Sequence, residues 1–374
     1  MATRFTGLGV AVSTGAYASA ATRYPPIYLA QDAAGTGAAD MVIYIADLDG
    51  RIMGELDGVL EGVAWKLNDY GQARITLPRG EATVTERMLN PGNRMLIQFN
   101  NGLPDWGGIL DLPRKWKDGR VEVVGYSAER ILVDRVTGKA RYFNNAYAGD
   151  IFRALINEAA PMGVEVGDVW IGGELHSPDY HYRGLYDIFT KSLSQRIEDA
   201  DWDVTTRLDG GRITFYANYY ERKGRDHGQT LALLEGVNLS GFEMQEQGPI
   251  VNQWLLAGAG TGWRDDNRIY SSRSDTTSEA KYGLRQRGEV RVDVSRQQTL
   301  NKSAGVLLAE SKEPHSVVSP MALDFPPARF GQYGVGDSVW MELYDTGFDN
   351  YGASVRIRAR EYLPGRGVCS LVIE

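Results

Sequence analysis

The sequence predicts a mainly β protein with an α+β insertion, in which two small β-barrel domains flank a small α+β domain. Three observations predict it: a strand arrangement that occurs twice, helical periodicity confined to the middle of the chain, and an N-terminal segment of different composition. We therefore divide the chain into an extended arm, a first barrel, an α+β domain and a second barrel with one helix, at residues 1–39, 40–136, 137–236 and 237–374.

The repeated arrangement lies at residues 92–126 and 336–374. Each copy opens on a glycine, Gly92 or Gly336, and continues into an alternating strand whose apolar residues share one face. A loop of about ten residues and a β-hairpin follow in each copy. The apolar strand positions are Met95, Ile97 and Phe99 in the first copy and Val339, Met341 and Leu343 in the second, and the hairpin turns are Asp118-Gly119 and Pro364-Gly365. Two similar barrels per chain would let three chains present six.

The N-terminal arm is rich in Ala, Gly, Thr and Ser around Tyr17, Tyr24 and Tyr28. This composition builds no core by itself. We interpret the segment as an arm that becomes ordered on a neighbouring subunit, the alternative being a tail folded on its own chain.

The first barrel is predicted from alternating segments and turn residues. Strands are expected at residues 41–46, 63–67, 73–77, 95–99, 106–112 and 121–126, with turns at Asp49-Gly50 and at residues 68–71. Residues 128–133 are expected to form a short helix that leaves the barrel.

The α+β domain is predicted from helical spacing. Asp150 is expected to cap a helix that Pro161 and Gly163 end, and an apolar stripe predicts a second helix from Leu185 to Ile197. A hairpin is expected at residues 202–217.

The second barrel is expected to contain one helix. Ser295 and Gln298 have the spacing of a capping box, which predicts a helix that ends before Pro314. The polar stretch from Arg264 to Ala280 is interpreted as an exposed loop.

The overall charge argues against several classes of protein. The 374 residues carry a formal net charge of −8, with no long run of lysine or arginine, so nucleic acid is an improbable specific partner. No apolar stretch approaches the roughly 20 residues of a membrane span. Cys369, the single cysteine, is interpreted as a packed residue of the last strand.

The residues that most often carry chemistry do not form a recognisable site. His176 and His181 are five residues apart and lack the spacing of a zinc motif. Asp199, Asp201 and Asp203 alternate as in a calcium loop, but that loop's glycine and final glutamate are missing, so we interpret them as solvated carboxylates. We predict no catalytic residue, no cofactor and no metal.

The aromatic residues divide into two groups. Most tryptophans, Trp116 among them, fall in alternating strands and are expected to pack in cores or on sheet faces. Aromatic residues in loops are interface candidates instead, and together with those of the arm the candidates are Tyr17, Tyr24, Tyr28, Tyr180, Tyr182 and Trp263.

The chain resembles the tail-tip or baseplate hub proteins of long-tailed, siphovirus-like bacteriophages. The resemblance rests on the order of parts over residues 40–374 and on four phrases: WKLNDYGQARITLP at 65–78, DWGGIL at 105–110, VEVVGY at 121–126 and YGVGDSV at 333–339. The arm departs from the common core of that family, and we expect no appended lytic domain after Glu374.

The resemblance implies a structural hub without enzymatic activity. Its implied form is a homotrimer whose tail-tube-like barrels make a pseudo-six-fold ring in the virion tail tip, after synthesis in the host bacterial cytoplasm. Implied partners are the distal tail or tail tube protein, the tape measure protein, tail fibre or receptor-binding proteins, and DNA that passes without specific binding. The negative charge suits such a channel. A receptor- or carbohydrate-binding tail module and a cell-wall hydrolase are the alternatives.

Overall fold

The structure, a computed structural model, describes residues 41–78, 80, 85–138, 140–158, 163–197, 199–260, 268–292, 294–344 and 351–374. It is mainly β with a few helices, as the sequence predicts. In the described part of the chain, no helix has both the length and the apolar character needed to span a membrane.

The N-terminal β unit consists of seven strands and a short 3₁₀ helix, Ala128–Asp134. Its strands are β1 (Met41–Ala46), β2 (Ile52–Leu56), β3 (Val59–Lys66), β4 (Gln72–Pro78), β5 (Arg94–Phe99), β6 (Trp106–Lys117) and β7 (Arg120–Ser127).

The α+β unit follows, with short strands around two helices. Its elements are β8 (Arg141–Tyr142), β9 (Ala146–Tyr147), α1 (Ala148–Glu158), β10 (Val164–Val169), β11 (Leu175–His176), β12 (Asp179–Tyr180), α2 (Leu185–Asp187) continuing as a π-helix (Ile188–Ile197), β13 (Asp201–Asp209) and β14 (Arg212–Tyr220). The hairpin β13–β14 and β10 form a three-stranded sheet.

The C-terminal β unit contains six strands, and a subdomain is inserted after the second. The strands are β15 (Ala232–Leu234), β16 (Leu239–Gln247), β20 (His315–Leu323), β21 (Ser338–Leu343), β22 (Tyr351–Leu363) and β23 (Val368–Ile373). The inserted subdomain comprises β17 (Gln253–Ala257), β18 (Tyr270–Ser274), α3 (Thr276–Tyr282), β19 (Gln286–Val290) and α4 (Gln297–Ser311).

The inserted subdomain has its own core. Its three strands pair only with one another, in the order β18-β17-β19, and buried Trp254, Leu256 and Leu300 belong to a cluster separate from the main core. The predicted loop at 264–280 is therefore wrong over its described part, where β18 and α3 lie. Asp275 caps α3 by accepting a hydrogen bond from the backbone N–H of Ser278 at 2.9 Å.

The two β units share one strand order. The order of hydrogen-bonded neighbours is β1-β5-β6-β7-β4-β3 in the N-terminal unit and β15-β21-β22-β23-β20-β16 in the C-terminal unit. Strands at equivalent places in the two sheets also follow one another in the same order along the chain. One difference is that β1 is antiparallel to β5, whereas β15 is parallel to β21. The repeated strand arrangement predicted for residues 92–126 and 336–374 is thus confirmed as β5-β6-β7 and β21-β22-β23.

Local details repeat as well. Gly92 and Gly336 both have positive φ, 90° and 99°, a region in which glycine is unstrained. The N–H of Gly92 donates to the carbonyl of Leu110 at 2.7 Å, and that of Gly336 donates to Ile357 at 2.8 Å. Leu110 of β6 and Ile357 of β22 therefore occupy equivalent positions in the two units.

The main hydrophobic core is shared by both β units. Ile45, Ile75 and Trp106 of one unit belong to the same cluster as Met341 and Leu371 of the other, and all five are at most 2% exposed. The units are joined in one 13-stranded sheet through the pair β22–β3. Their closure as two separate barrels, and the boundaries at 136 and 236, stay predictions.

Candidate assembly interface

The junction between the β units shows how one unit binds the next. Strand β22 is longer than its partner β21, which pairs only with residues 351–356. Beyond that point β3 pairs with the same edge of β22. The antiparallel pairs are Ala359 with residue 66, Arg360 with 65, Glu361 with 64 and Tyr362 with 63. The long strand therefore carries the sheet from one unit into the other.

Side chains reinforce this junction. Arg360 is only 1% exposed, lies over the rings of Trp65 and Tyr333 with 5.3 Å to each centroid, and donates to the carbonyl of Tyr333 at 2.7 Å. The guanidinium of Arg74 lies 2.6 Å from the carboxylate of Glu361. A charged group that is stacked and hydrogen-bonded in this way tolerates burial.

Cys369 lies beside the junction and is fully buried. Burial raises the pKa of its thiol to about 11, so the thiolate is scarce near neutral pH. This agrees with its interpretation as a packed residue.

The α+β unit is attached through an ionic cluster in which Asp201 and Asp203 are 3% and 5% exposed. Asp201 forms an ion pair with Arg356 of β22 and accepts the backbone N–H of Lys223 at 2.7 Å, while the Lys223 ammonium lies 2.5 Å from Asp203. The prediction of solvated carboxylates was wrong for these two residues, although Asp199 is exposed.

A cavity of about 850 Å³ separates the α+β unit from the N-terminal β unit. Arg94 lies in its wall, with 7% of its surface exposed, and donates to the carbonyls of Ile213 at 2.6 Å and Leu48 at 2.9 Å. Its guanidinium also lies 5.0 Å from the ring centroid of Phe215. The buried guanidinium of Arg94 therefore connects the N-terminal β unit to the α+β unit at the wall of this cavity.

Several strand edges have no partner strand among the described residues, and two of them belong to β6 and β16. Strand β5 pairs with residues 106–109 of β6 only, and in the far half of β6 residues 115–117 pair with β7 on one side. Strand β16 pairs with β20 on one side and ends the large sheet. Leu112 and Trp116 on the free half of β6 are 58% and 60% exposed, so the expected packing of Trp116 is not found within the chain.

The predicted interface residues fall in different environments. Tyr180 is fully buried in the core of the α+β unit, and its hydroxyl lies 3.0 Å from that of Ser192, so its ring is not free to contact a partner. Tyr182 is 67% exposed with φ 46°, and its role as an interface residue stays a prediction. Tyr17, Tyr24, Tyr28 and Trp263 lie outside the described residues.

Three histidine side chains lie in separate environments. His176 is buried, His181 lies 2.7 Å from Asp179, and His227 lies 3.3 Å from Asp337. Over the described ranges, no cluster of three or more His, Cys, Asp or Glu side chains is arranged to hold a metal ion.

The fold is similar to solved tail proteins. No protein-family model matches the sequence, and no curated protein matches it significantly. The 43 kDa tail protein of prophage MuSo2 from Shewanella oneidensis superposes with a TM-score of 0.62 at 12% identity, over 90% of this chain and 98% of that one. A tail protein from Neisseria meningitidis gives 0.58 at 12% identity, over 89% and 96% of the two chains.

A third structure agrees with these two. The prophage tail protein gp18 from Listeria monocytogenes has a TM-score of 0.52 at 10% identity and covers 90% of this chain and 94% of its own. Similarity over nearly the full length of both chains means that the order of units is shared, not one domain alone. The chain therefore has the fold of phage tail proteins, and the resemblance inferred from its sequence is confirmed at the level of fold.

Proposed function

We propose that this chain is a structural hub protein of a phage tail tip, located in the virion. Three copies form a ring of six β units that joins the tail tube or distal tail protein to the tip. The ring surrounds the channel for the tape measure protein and for DNA, and tail fibre or receptor-binding proteins attach around it. The protein acts through its interfaces and carries no catalytic residue.

The observation that supports this proposal most directly is the repeated strand order of the two β units together with the continuous sheet between them. A chain that contains two similar units joined head to tail can form a ring in which three copies match a six-fold neighbour. The fold shared with tail proteins supports a place in the tail.

Light scattering tests the proposal. The purified chain is expected to give a species of three times 41.3 kDa, or to reach that mass when it is mixed with tail tube protein from the same phage. A chain that remains monomeric with every tail component would contradict the hub and favour the receptor-binding or hydrolase alternative.

A further inference from the structure

The strands equivalent to those of the β22–β3 junction have edges that are unpaired among the described residues. Strand β22 uses its far half to bind β3, and β3 is equivalent to β16 in the shared strand order. The equivalent of β22 is β6, whose far half has no partner strand among the described residues on the edge that faces away from β7. The free edge of β16 is the equivalent of the one that β3 presents.

We infer that β6 of one copy pairs antiparallel with β16 of the next copy, and that this pair is the contact between subunits of the ring. The inference rests on the proposed function, because it assigns the interface of the proposed trimer. The contact is heterologous, so each copy uses its β6 edge toward one neighbour and its β16 edge toward the other.

The ladders within each unit set the register on β6. Lys115 and Trp116 pair with residues 122 and 121 of β7, and Glu361 and Tyr362 pair with residues 370 and 369 of β23. Since Leu110 and Ile357 are equivalent, Lys115 takes the place of Glu361 and Trp116 that of Tyr362.

The register on β16 follows from the ladders of the two units. Residue 125 of β7 pairs with Ala73 of β4, which pairs with residue 63 of β3, and Ile373 of β23 pairs with Val318 of β20, which pairs with Met244 of β16. Since residue 125 and Ile373 are the partners of the equivalent residues Leu110 and Ile357, Met244 is equivalent to residue 63 and Gln245 to residue 64. The internal pairs 362–63 and 361–64 then predict Trp116 opposite Met244 and Lys115 opposite Gln245.

Neither predicted pair places like charges opposite each other. Lys115 is exposed on β6, and the position that faces it on β16 is an uncharged residue. Like charges directly opposite would destabilise antiparallel strands. Because Pro113 has no N–H to donate, the intersubunit ladder begins at Arg114.

Burial gives independent support. Tyr362 is 2% exposed, because Phe99 and Phe330 pack against it at 6.2 and 5.8 Å between ring centroids. Trp116 occupies the equivalent place on the core side of its strand, opposite buried Val121, yet it is 60% exposed. A neighbouring copy on this edge would bury the indole.

Cysteine cross-linking tests the register. The full-length double variant Lys115→Cys/Gln245→Cys, oxidised with glutathione disulfide, is expected to run as three linked chains on a non-reducing gel. Each single variant and the double variant Lys115→Cys/Thr277→Cys are the controls and are expected to stay unlinked, since native Cys369 is buried.

The fluorescence of Trp116 tests the same contact without a covalent bond. Trp116 fluorescence is expected to shift to shorter wavelength on assembly, measured as the difference between the native chain and Trp116→Phe.

The outcomes distinguish a failure of the proposed β6–β16 contact from a failure of the proposed trimer. A native chain that forms trimers, with neither the 115–245 cross-link nor the shift in Trp116 fluorescence, would overturn the β6–β16 contact and leave the trimer. Proline and lysine also occur on edges that must stay unpaired. If these residues keep the β6 edge unpaired, the native chain is monomeric and forms no cross-link. That result would overturn both the contact and the trimer.

Discussion

Glu129 shows how burial changes a single ionisable residue. It lies on the 3₁₀ helix after β7, is 6% exposed, and accepts the backbone N–H of Val204 at 3.0 Å. Desolvation is the main reason that its pKa rises to about 7, above an ordinary value of 4.5. The folded protein therefore favours the protonated carboxyl.

The consequence for stability has a defined sign. Below pH 4.5 Glu129 is protonated in both states and does not affect stability; as pH rises from 4.5 to about 7, the unfolded chain ionises first and stability falls. Replacing Glu129 by Gln, which keeps the acceptor for Val204, is expected to stabilise the protein by about 3 kcal/mol at pH 8 and hardly at all at pH 4. Denaturant unfolding at both pH values measures this, with exposed Glu165→Gln as the control. Equal effects at the two pH values would contradict it.

At the scale of single elements, local sequence signals found helices but missed their ends. Helix α1 begins at Ala148, so Asp150 lies in its first turn and does not cap it, although an acid there still favours the helix dipole. Helix α4 begins at Gln297 with Arg296 as its N-cap, so the predicted Ser295 capping box was wrong. The missed helix α3 had a usable signal in Asp275 followed three residues later by Ser278.

The contact between β13 and β22 predicts a large mutational effect. Asn at position 201 would leave Arg356 without its carboxylate, and the side chain of Asp201 is only 5% exposed. Asp201→Asn is expected to lower the free energy of unfolding by about 3 kcal/mol, because a partly buried charge loses its counter-ion. Asp199→Asn, on an exposed carboxylate two residues away, is the matched control and is expected to change stability by less than about 0.5 kcal/mol. Chemical denaturation decides, and a loss equal to that of the control would contradict the ionic attachment.

At the scale of the whole molecule, the inserted subdomain interrupts a sheet whose flanking strands still meet. The last pair of the β16–β20 ladder joins Gln247 to His315, so the two points of insertion are neighbours. Opposed residues of antiparallel strands lie about 5 Å apart, a distance that a two-residue turn closes. The main core contains no residue of the inserted subdomain among those described.

Removal of the subdomain tests this independence. A variant in which residues 249–313 are replaced by Asn-Gly is expected to fold with the β spectrum of the parent and to retain cooperative unfolding. Circular dichroism and thermal unfolding measure both properties. The matched control removes residues 129–219, which include buried core positions such as Phe152 and Phe215, and is expected not to unfold cooperatively. Loss of cooperativity in the first variant would show that the subdomain is integral to the core.

The sequence by itself determined the mainly β class, the helices of the middle segment, the duplicated strand arrangement and the resemblance to tail proteins. Alternation of apolar residues, turn glycines and helical spacing are local properties, and they are visible without knowledge of which strands meet. Gly92 and Gly336 are examples, because the positive φ that each needs is set by its own turn.

Only the tertiary structure decided which edges are used. Asp201 became part of a buried ion pair because β22 brings Arg356 to it from 155 residues away. Trp116 remained exposed because no strand in the described part of the chain covers its edge. Strand partners separated by long stretches of sequence are chosen by the global arrangement of the sheet, not by the local pattern of either strand. For this reason the sequence located the two repeats. The structure identified the strand pair β22–β3 that joins them, and the equivalent strands β6 and β16 whose edges are unpaired among the described residues.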